Sequence, residues 1–463
     1  MSTTMLETVV INNESFFKIA DTDAMRPFFM SIVSNSDHWM FVSSNGGISA
    51  GRKNPDHAFF PYYTDDKITE HAENTGSKTI FQISKAGTTY LWEPFSYRGE
   101  GRYSITRNIY QNKWTNKVLF EEINIDLNLT FQYEWNSSNL FGFVKQSRLL
   151  NNANESIEVK LVDGFQNIIP AGVPRDLQTK TSNLADAYKR SELLPAVGLG
   201  IFALSAIIVD KAEPAEALKA NIAWSLGLDN AVYLLSTTQL KAFRLNQHIH
   251  QEDDIKGEKG SYLVVSNVSL EAGAQKDWLI IGNLNQNHSA VAALSHQIRN
   301  DNQLKDKILA DIDAGTHQLK QLTGAADSFQ FTADKLNDTR HFSNVLFNIM
   351  RGGIFDNNYQ IHKKDFLQYL QKANKSVYQT AQSELASLAD EFSLFDLKNI
   401  ATSSSNPDFI RLATEYLPLK FSRRHGDPSR PWNQFSINIK NENDGSEILD
   451  YQGNWRDLFQ NWE

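Results

Sequence analysis

Arg423, Arg424 and Arg430 share one short stretch with His425 and Trp432, and Gly426, Pro428 and Pro431 stiffen its backbone. Guanidinium forks grip phosphate or sugar oxygens two at a time. An indole offers a flat apolar face to a sugar ring. A structural salt-bridge loop would use the same residues, so the stretch names a chemistry without proving it. Tyr451 to Glu463 then gathers carboxylates, amides and two indoles, with Trp455, Arg456, Asp457, Gln460, Asn461 and Trp462 close together.

Three other segments could carry chemistry. Asn45 to Lys67 joins a glycine-rich run, Gly46-Gly47-Ile48-Ser49-Ala50-Gly51-Arg52, to Phe59-Phe60-Pro61-Tyr62-Tyr63-Thr64-Asp65-Asp66. Glycines allow close backbone approach, and aromatic rings beside carboxylates suit sugar faces and hydroxyls. Loop packing at a sheet edge is the plainer reading. Trp92, Pro94, Phe95 and Tyr97 form a second aromatic loop. His248-Ile249-His250 before Glu252, Asp253 and Asp254 has metal-site composition, yet reads better as a charged surface loop, and no metal is expected. Gly198-Leu199-Gly200 fits a loose dinucleotide pattern, but a strand-like run follows where a helix would be needed.

The elements that must hold these groups follow from periodicity. Ile123, Ile125, Leu127, Leu129, Phe131, Tyr133 and Trp135 alternate with polar residues, which predicts one long strand. Ile157, Val159 and Leu161 repeat the pattern. Thr79–Ile83, Gly200–Val209, Tyr262–Val265 and Trp278–Ile281 are further strand-like runs. Many strands without alternating helices predict a large antiparallel β-sandwich over residues 1–290. The period then becomes helical. Leu304, Ile308, Ile312, Leu319 and Leu322 mark a helical linker over 291–335, and residues 336–463 begin a second, helical domain. One helix should run from Asp338 to a stop at Gly352-Gly353, and another should open at Asn406-Pro407.

Composition narrows the function. The chain has 463 residues, 41% apolar and 21% charged, with a formal charge of -9. An acidic surface repels phosphate backbones, which argues against nucleic acid as a partner. No cysteine is present, so disulfides, thiolate metal sites and cysteine nucleophiles are all excluded. Leu194–Val209 is too short and too glycine- and proline-broken to span a membrane. A cytoplasmic protein is expected.

At these residues the chain resembles the cellobiose phosphorylase family and its glycoside phosphorylase relatives, most sharply at 45–67, at 135–172 with Asp163-Gly164-Phe165-Gln166-Asn167, and at 454–463. The resemblance implies a β-sandwich (a supersandwich), a helical linker and the start of an (α/α)6-type catalytic domain. It implies inverting cleavage of β-linked oligosaccharides by inorganic phosphate as co-substrate, with no other cofactor. Phosphate is then the nucleophile, so a single protein acid suffices to protonate the leaving oxygen. Arg424, His425 and Arg430 would bind substrate or phosphate, Trp432 and Trp455 would stack on sugar, and Arg456 and Gln460 would complete the site. The family's acid motif reads Arg-Asp-x-x-Gln-Asp. Arg456, Asp457 and Gln460 match it, but Asn461 stands at the acid position, and an amide cannot donate that proton. Asp457 is therefore the catalytic candidate, with Glu463 the other carboxylate in reach.

Two further expectations complete the reading. An (α/α)6 barrel takes about 300 residues, whereas about 130 follow residue 335, so the chain reads as the N-terminal part of a longer enzyme or the product of a truncated gene. A homodimer through the sandwich is a possible assembly. The alternatives in function are a non-catalytic saccharide-binding protein, favoured by Asn461, and a glycoside hydrolase on the same scaffold.

Overall fold

The computed structural model describes residues 7–85, 87–208, 216–386, 388–441 and 444–453. Its described residues form two compact units, one within 7–319 with 426–433 and one within 320–425 with 434–453.

In the first unit an eleven-stranded antiparallel sheet runs in the order Glu7–Ile11, Glu14–Ile19, Ile105–Asn112, Val118–Asn124, Leu129–Ser138, Gly142–Asn151, Gln275–Asn287, Lys219–Leu226, Leu199–Leu204, Lys189–Leu194 and Asp254–Lys256. A five-stranded antiparallel sheet orders Val232–Leu234, Gly260–Leu270, Ile157–Ile168, Gly76–Lys85 and Thr88–Trp92. Apolar side chains of both share one core, with Phe131, Tyr133 and Phe143 from the large sheet and Phe81, Leu161 and Phe165 from the small one. On the opposite face of the large sheet, helix Leu304–Gly324 buries Leu304, Ile308 and Ile312 with Val144, Trp224 and Ile281. The strand around Val144 is thus covered on both sides.

At the centre of the shared core sits an ion pair. Lys145 Nζ lies 2.5 Å from Asp163 Oδ1, and both side chains are fully buried. Thr79 Oγ1 donates to the same oxygen at 2.6 Å, while Trp278 Nε1 and Ser147 Oγ donate to Oδ2 at 2.7 and 3.0 Å. Ser147 and Trp278 are cross-strand neighbours in the large sheet, and Thr79 and Asp163 are neighbours in the small one. One carboxylate therefore collects donors from both sheets. Burial pushes the Lys145 ammonium toward its neutral form, opposed by Asp163.

Two strand expectations are corrected. The run from Ile123 to Trp135 is a hairpin rather than one strand: Val118–Asn124 pairs with Leu129–Ser138, with Asn124 opposite Leu129. Asn128 takes a left-handed φ of 53°, which Asn tolerates. Asn124 Oδ1 accepts from the Leu127 amide, and Ile125 is left 55% exposed at the turn. The odd-numbered series changes face across this four-residue turn: Ile123 lies opposite Thr130, and it is Val118 and Phe120 that share the core with Leu129, Phe131 and Tyr133. Likewise Gly200–Val209 is strand only over Leu199–Leu204, and Gly198 sits in the turn before it at φ 61°. Leu194 thus ends strand Lys189–Leu194 and Leu199–Leu204 is its hairpin partner, while Val209 lies outside the described residues. No described helix is long and apolar enough to cross a membrane.

In the second unit, helix Lys335–Gly352 starts where Asp334 accepts from the amides of Leu336 and Asn337, and stops at Gly353, φ 76°. Ile354–Phe355 then pairs antiparallel with Leu419–Lys420, and the Asp356 amide donates to Pro418 O. Between the two strands of this ribbon lies a small fold of its own. It holds the strand pair Gln360–His362 and Glu391–Ser393 and helices Lys363–Ala373, Lys375–Glu384, Leu394–Ser403 and Pro407–Glu415. They close around Phe366, Leu370, Phe392, Leu397 and Phe409. Asn374 caps one helix, Ser393 and Asp396 form a capping box, and Asn406 caps the last with Pro407 behind it.

One further side chain in the first unit orients loops. The buried Gln178 on helix Arg175–Thr179 accepts from the Tyr62 amide at 3.1 Å and donates to Val173 O and Pro55 O. It ties that helix to the aromatic segment Pro61–Thr64.

These contacts yield two predictions. Asp163→Ala should lower the stability of the sheet unit by about 3–5 kcal/mol, because it strands a buried ammonium. The Lys145→Met/Asp163→Leu pair should recover only part of that loss in urea unfolding, because Thr79, Ser147 and Trp278 still lose their acceptor. A cost below about 1 kcal/mol for the single change would contradict the role given to the pair. Gln178→Ala should speed hydrogen exchange of the Tyr62 amide by about tenfold or more; unchanged protection there would dismiss the tether.

Candidate functional site

The aromatic segment Pro61–Thr64 borders a cavity of about 520 Å³ in the first unit. Helices Arg175–Thr179 and Ser182–Tyr188, the start of the strand at Lys189, and Lys259 also line it, as does Pro431 from the Arg-Trp stretch. Two segments marked by sequence, 45–67 and 423–432, thus meet at one cavity. Asn167 at the end of strand Ile157–Ile168 lines it as well.

Its electrostatics are lopsided. Lys67, Arg175, Lys180, Lys189 and Lys259 line it with His71, against the carboxylates of Asp176 and Asp186. Both carboxylates are already engaged: Asp176 with Lys180 at 2.8 Å and Arg175 at 3.5 Å, Asp186 with Lys189 at 2.6 Å. The Lys189 side chain is only 6% exposed. Burial lowers its ammonium's proton affinity, Asp186 partly restores it, and the like charge of Lys259 lowers it further. Tyr63 packs on His71 with ring centroids 4.8 Å apart. Burial raises the Tyr63 phenol, which a hydrogen bond with Asn167 partly offsets.

The cationic stretch itself is divided. Arg424 and His425 belong to the second unit, whereas Arg430 and Trp432 fall in the segment 426–433 of the first. The Arg424 amide donates to Ser436 O and its carbonyl accepts from the Ser436 amide, with the side chain exposed. Arg351 donates to His425 Nε2 at 3.4 Å, which requires that nitrogen to be unprotonated. The guanidinium of Arg423 lies 4.3 Å over the Phe421 ring. Trp432 is 75% exposed. Ser422 Oγ accepts from the Gln452 amide at 3.0 Å and donates to Arg351 O at 3.3 Å. Gln452 is thereby tied to Ser422, the residue before Arg423. Trp455, Arg456, Asp457 and Gln460, with Asn461 and Glu463, lie outside the described residues.

Other candidates resolve into structure. Phe59 and Phe60 are fully buried core rings, and Tyr62 packs against Trp39. Trp92 donates to Glu122 at 2.7 Å, and Phe95 packs on Tyr133. Glu252 is buried and accepts from the amides of Leu235 and Ser236 and from Gln239, so it organises a loop. Among the described residues no group of three or more His, Asp and Glu side chains could hold a metal. Sequence reasoning passed over Arg175, Lys189 and Lys259. They are scattered singly across the chain and no local spacing groups them.

Comparison with known proteins gives partial likenesses. No curated protein matches the sequence. Among solved structures, a bacterial glucoamylase complexed with acarbose is similar at 8% identity and TM-score 0.40, covering 86% of this chain and 57% of its own. A putative kojibiose phosphorylase from the human microbiome is similar at 8% identity and TM-score 0.27, covering 76% and 39%. A galactose mutarotase-like protein from Lactobacillus casei is similar at 10% identity and TM-score 0.30, covering 56% and 100%. The chain thus spans 57% of the length of the glucoamylase it matches. Residues 355–418 match the family model described as glycoside hydrolase family 149 insertion domain 1, and the limits of that match fall on the ribbon formed by Ile354–Phe355 and Leu419–Lys420.

Proposed function

We propose that this chain is part of a carbohydrate-active enzyme that cleaves β-linked oligosaccharides with inorganic phosphate. The observation that carries the proposal is the match of 355–418 to an insertion domain of a glycoside hydrolase family, at a place where the chain leaves and re-enters through adjacent strands. In this reading the sheets are the supersandwich of such an enzyme. Helix Lys335–Gly352 and the residues after Lys420 open an (α/α)6-type domain that the insertion interrupts.

The chemistry then needs one acid and a cradle for the attacking dianion. Arg424 and His425, with Arg430, supply cationic and hydrogen-bonding groups for phosphate or substrate. Trp432 and Trp455 stack on sugar rings, Arg456 and Gln460 bind substrate, and Asp457 protonates the departing oxygen. A second reading, saccharide binding without turnover, is favoured by the amide of Asn461 at the acid position.

Incubating the protein with a panel of β-linked oligosaccharides, with and without phosphate, separates the two. Phosphorolysis predicts sugar phosphates only in the phosphate arm, and loss of at least about a hundredfold in turnover for Asp457→Asn. Binding with no product in either arm would overturn it in favour of the second reading.

A further inference from the structure

We propose that the cavity between the Pro61–Thr64 segment and the helices Arg175–Thr179 and Ser182–Tyr188 binds an anionic sugar, an oxyanion borne on a hydroxylated ring. The argument starts from charge. The chain as a whole is acidic at -9, yet this cavity gathers five cationic side chains around two carboxylates. The carboxylates already neutralise Lys180 and Lys189. Among the described residues Lys259 has no ion-pair partner, and its charge bears directly on the buried Lys189. Lys67 has only the longer-range attraction of Asp66.

Clustered cations that repel one another, one of them buried, cost stability unless an anion comes between them. A solvated lysine face explains Lys180, which pairs with Asp176 one helical turn away. Lys189 is different: it is buried at the cavity with a single carboxylate partner, Asp186, and Lys259, unpaired among the described residues, also lines that cavity. Burial of the Lys189 ammonium agrees with a site that is completed by a ligand.

Size and the remaining lining decide what carries the anion. A volume of about 520 Å³ falls in the range of small-molecule sites and exceeds what a lone inorganic ion would fill. The Tyr63–His71 pair presents ring surface, and Thr64 and Ser182 present hydroxyls. Aromatic faces with hydroxyl neighbours suit a sugar ring. A phosphate ester and a carboxylate would satisfy the cations equally, so both sources enter the test.

Calorimetric titration of the intact chain with glucose 6-phosphate, glucuronate, glucose and inorganic phosphate separates these sources. At least one of the two anionic sugars should bind about tenfold or more tighter than glucose and than inorganic phosphate. Preference for the first assigns a phosphate ester and preference for the second a carboxylate. Lys259→Gln and Lys67→Gln each should weaken that binding by about tenfold. Both side chains are exposed, and an unchanged melting temperature would show that the fold is intact. Failure of both anionic sugars to bind, equal affinity for glucose or for inorganic phosphate, or indifference to both lysine changes would overturn the proposal. Since binding rather than turnover is read, the result is separate from the outcome of the phosphorolysis assay.

Discussion

A single buried carboxylate, Asp163, fixes how the two principal sheets meet. Four donors converge on it, Lys145, Ser147 and Trp278 from the large sheet and Thr79 from the small one, and all four residues are buried. Hydrophobic packing of Phe131, Phe143 and Phe165 would tolerate small slides between faces, because dispersion is not directional. The ion pair does not. Moving strand Gly142–Asn151 by one residue would turn Lys145 to the opposite face and leave Asp163 charged in apolar surroundings. Register is thereby set at the middle of the core, and strand Ile157–Ile168 carries that setting outward to Asn167 at the cavity.

From the middle of the core to the loops, polar groups repeat this theme at smaller scale. Glu122 accepts from Trp92, Arg107 and the Phe95 amide. Glu252 does the same for the loop at Leu235, and Gln178 for the segment at Tyr62. Each satisfies backbone amides that irregular chain would otherwise leave unpaired. Residues that resemble binding chemistry by type, such as Trp92 and Glu252, are spent in this way on holding loops.

Much of the architecture was legible because period-two and period-3.6 patterns survive in the sequence. The strand at Ile157, the stop at Gly352-Gly353 and the Asn406-Pro407 opening are local signals with local causes. The hairpin inside Ile123–Trp135 was not legible, since Ile125 and Leu127 continue the apolar alternation by type through the turn although the pairing reverses its face, and only Asn128 hints at it. Neither was the role of Asp163: a Lys on a strand reads as a solvent-facing residue until its partner on another sheet is known. The cavity was half visible. Tyr62, Tyr63 and Pro431 stand in segments marked by composition, but Lys189 and Lys259 reach it through the pairing of distant strands, which no spacing along the chain encodes.

The ribbon at Ile354–Phe355 and Leu419–Lys420 also says something about how such a protein could be remodelled. Because departure and return are hydrogen-bonded neighbours, the host chain experiences everything between them much as it would a long turn. The entropy of closing a loop grows only with the logarithm of its length, so exchanging the whole module for a tight reverse turn would alter the host's own closure by little. The ribbon is therefore a natural graft point, a position where a module can be acquired, lost or swapped without renegotiating the closure of the host chain.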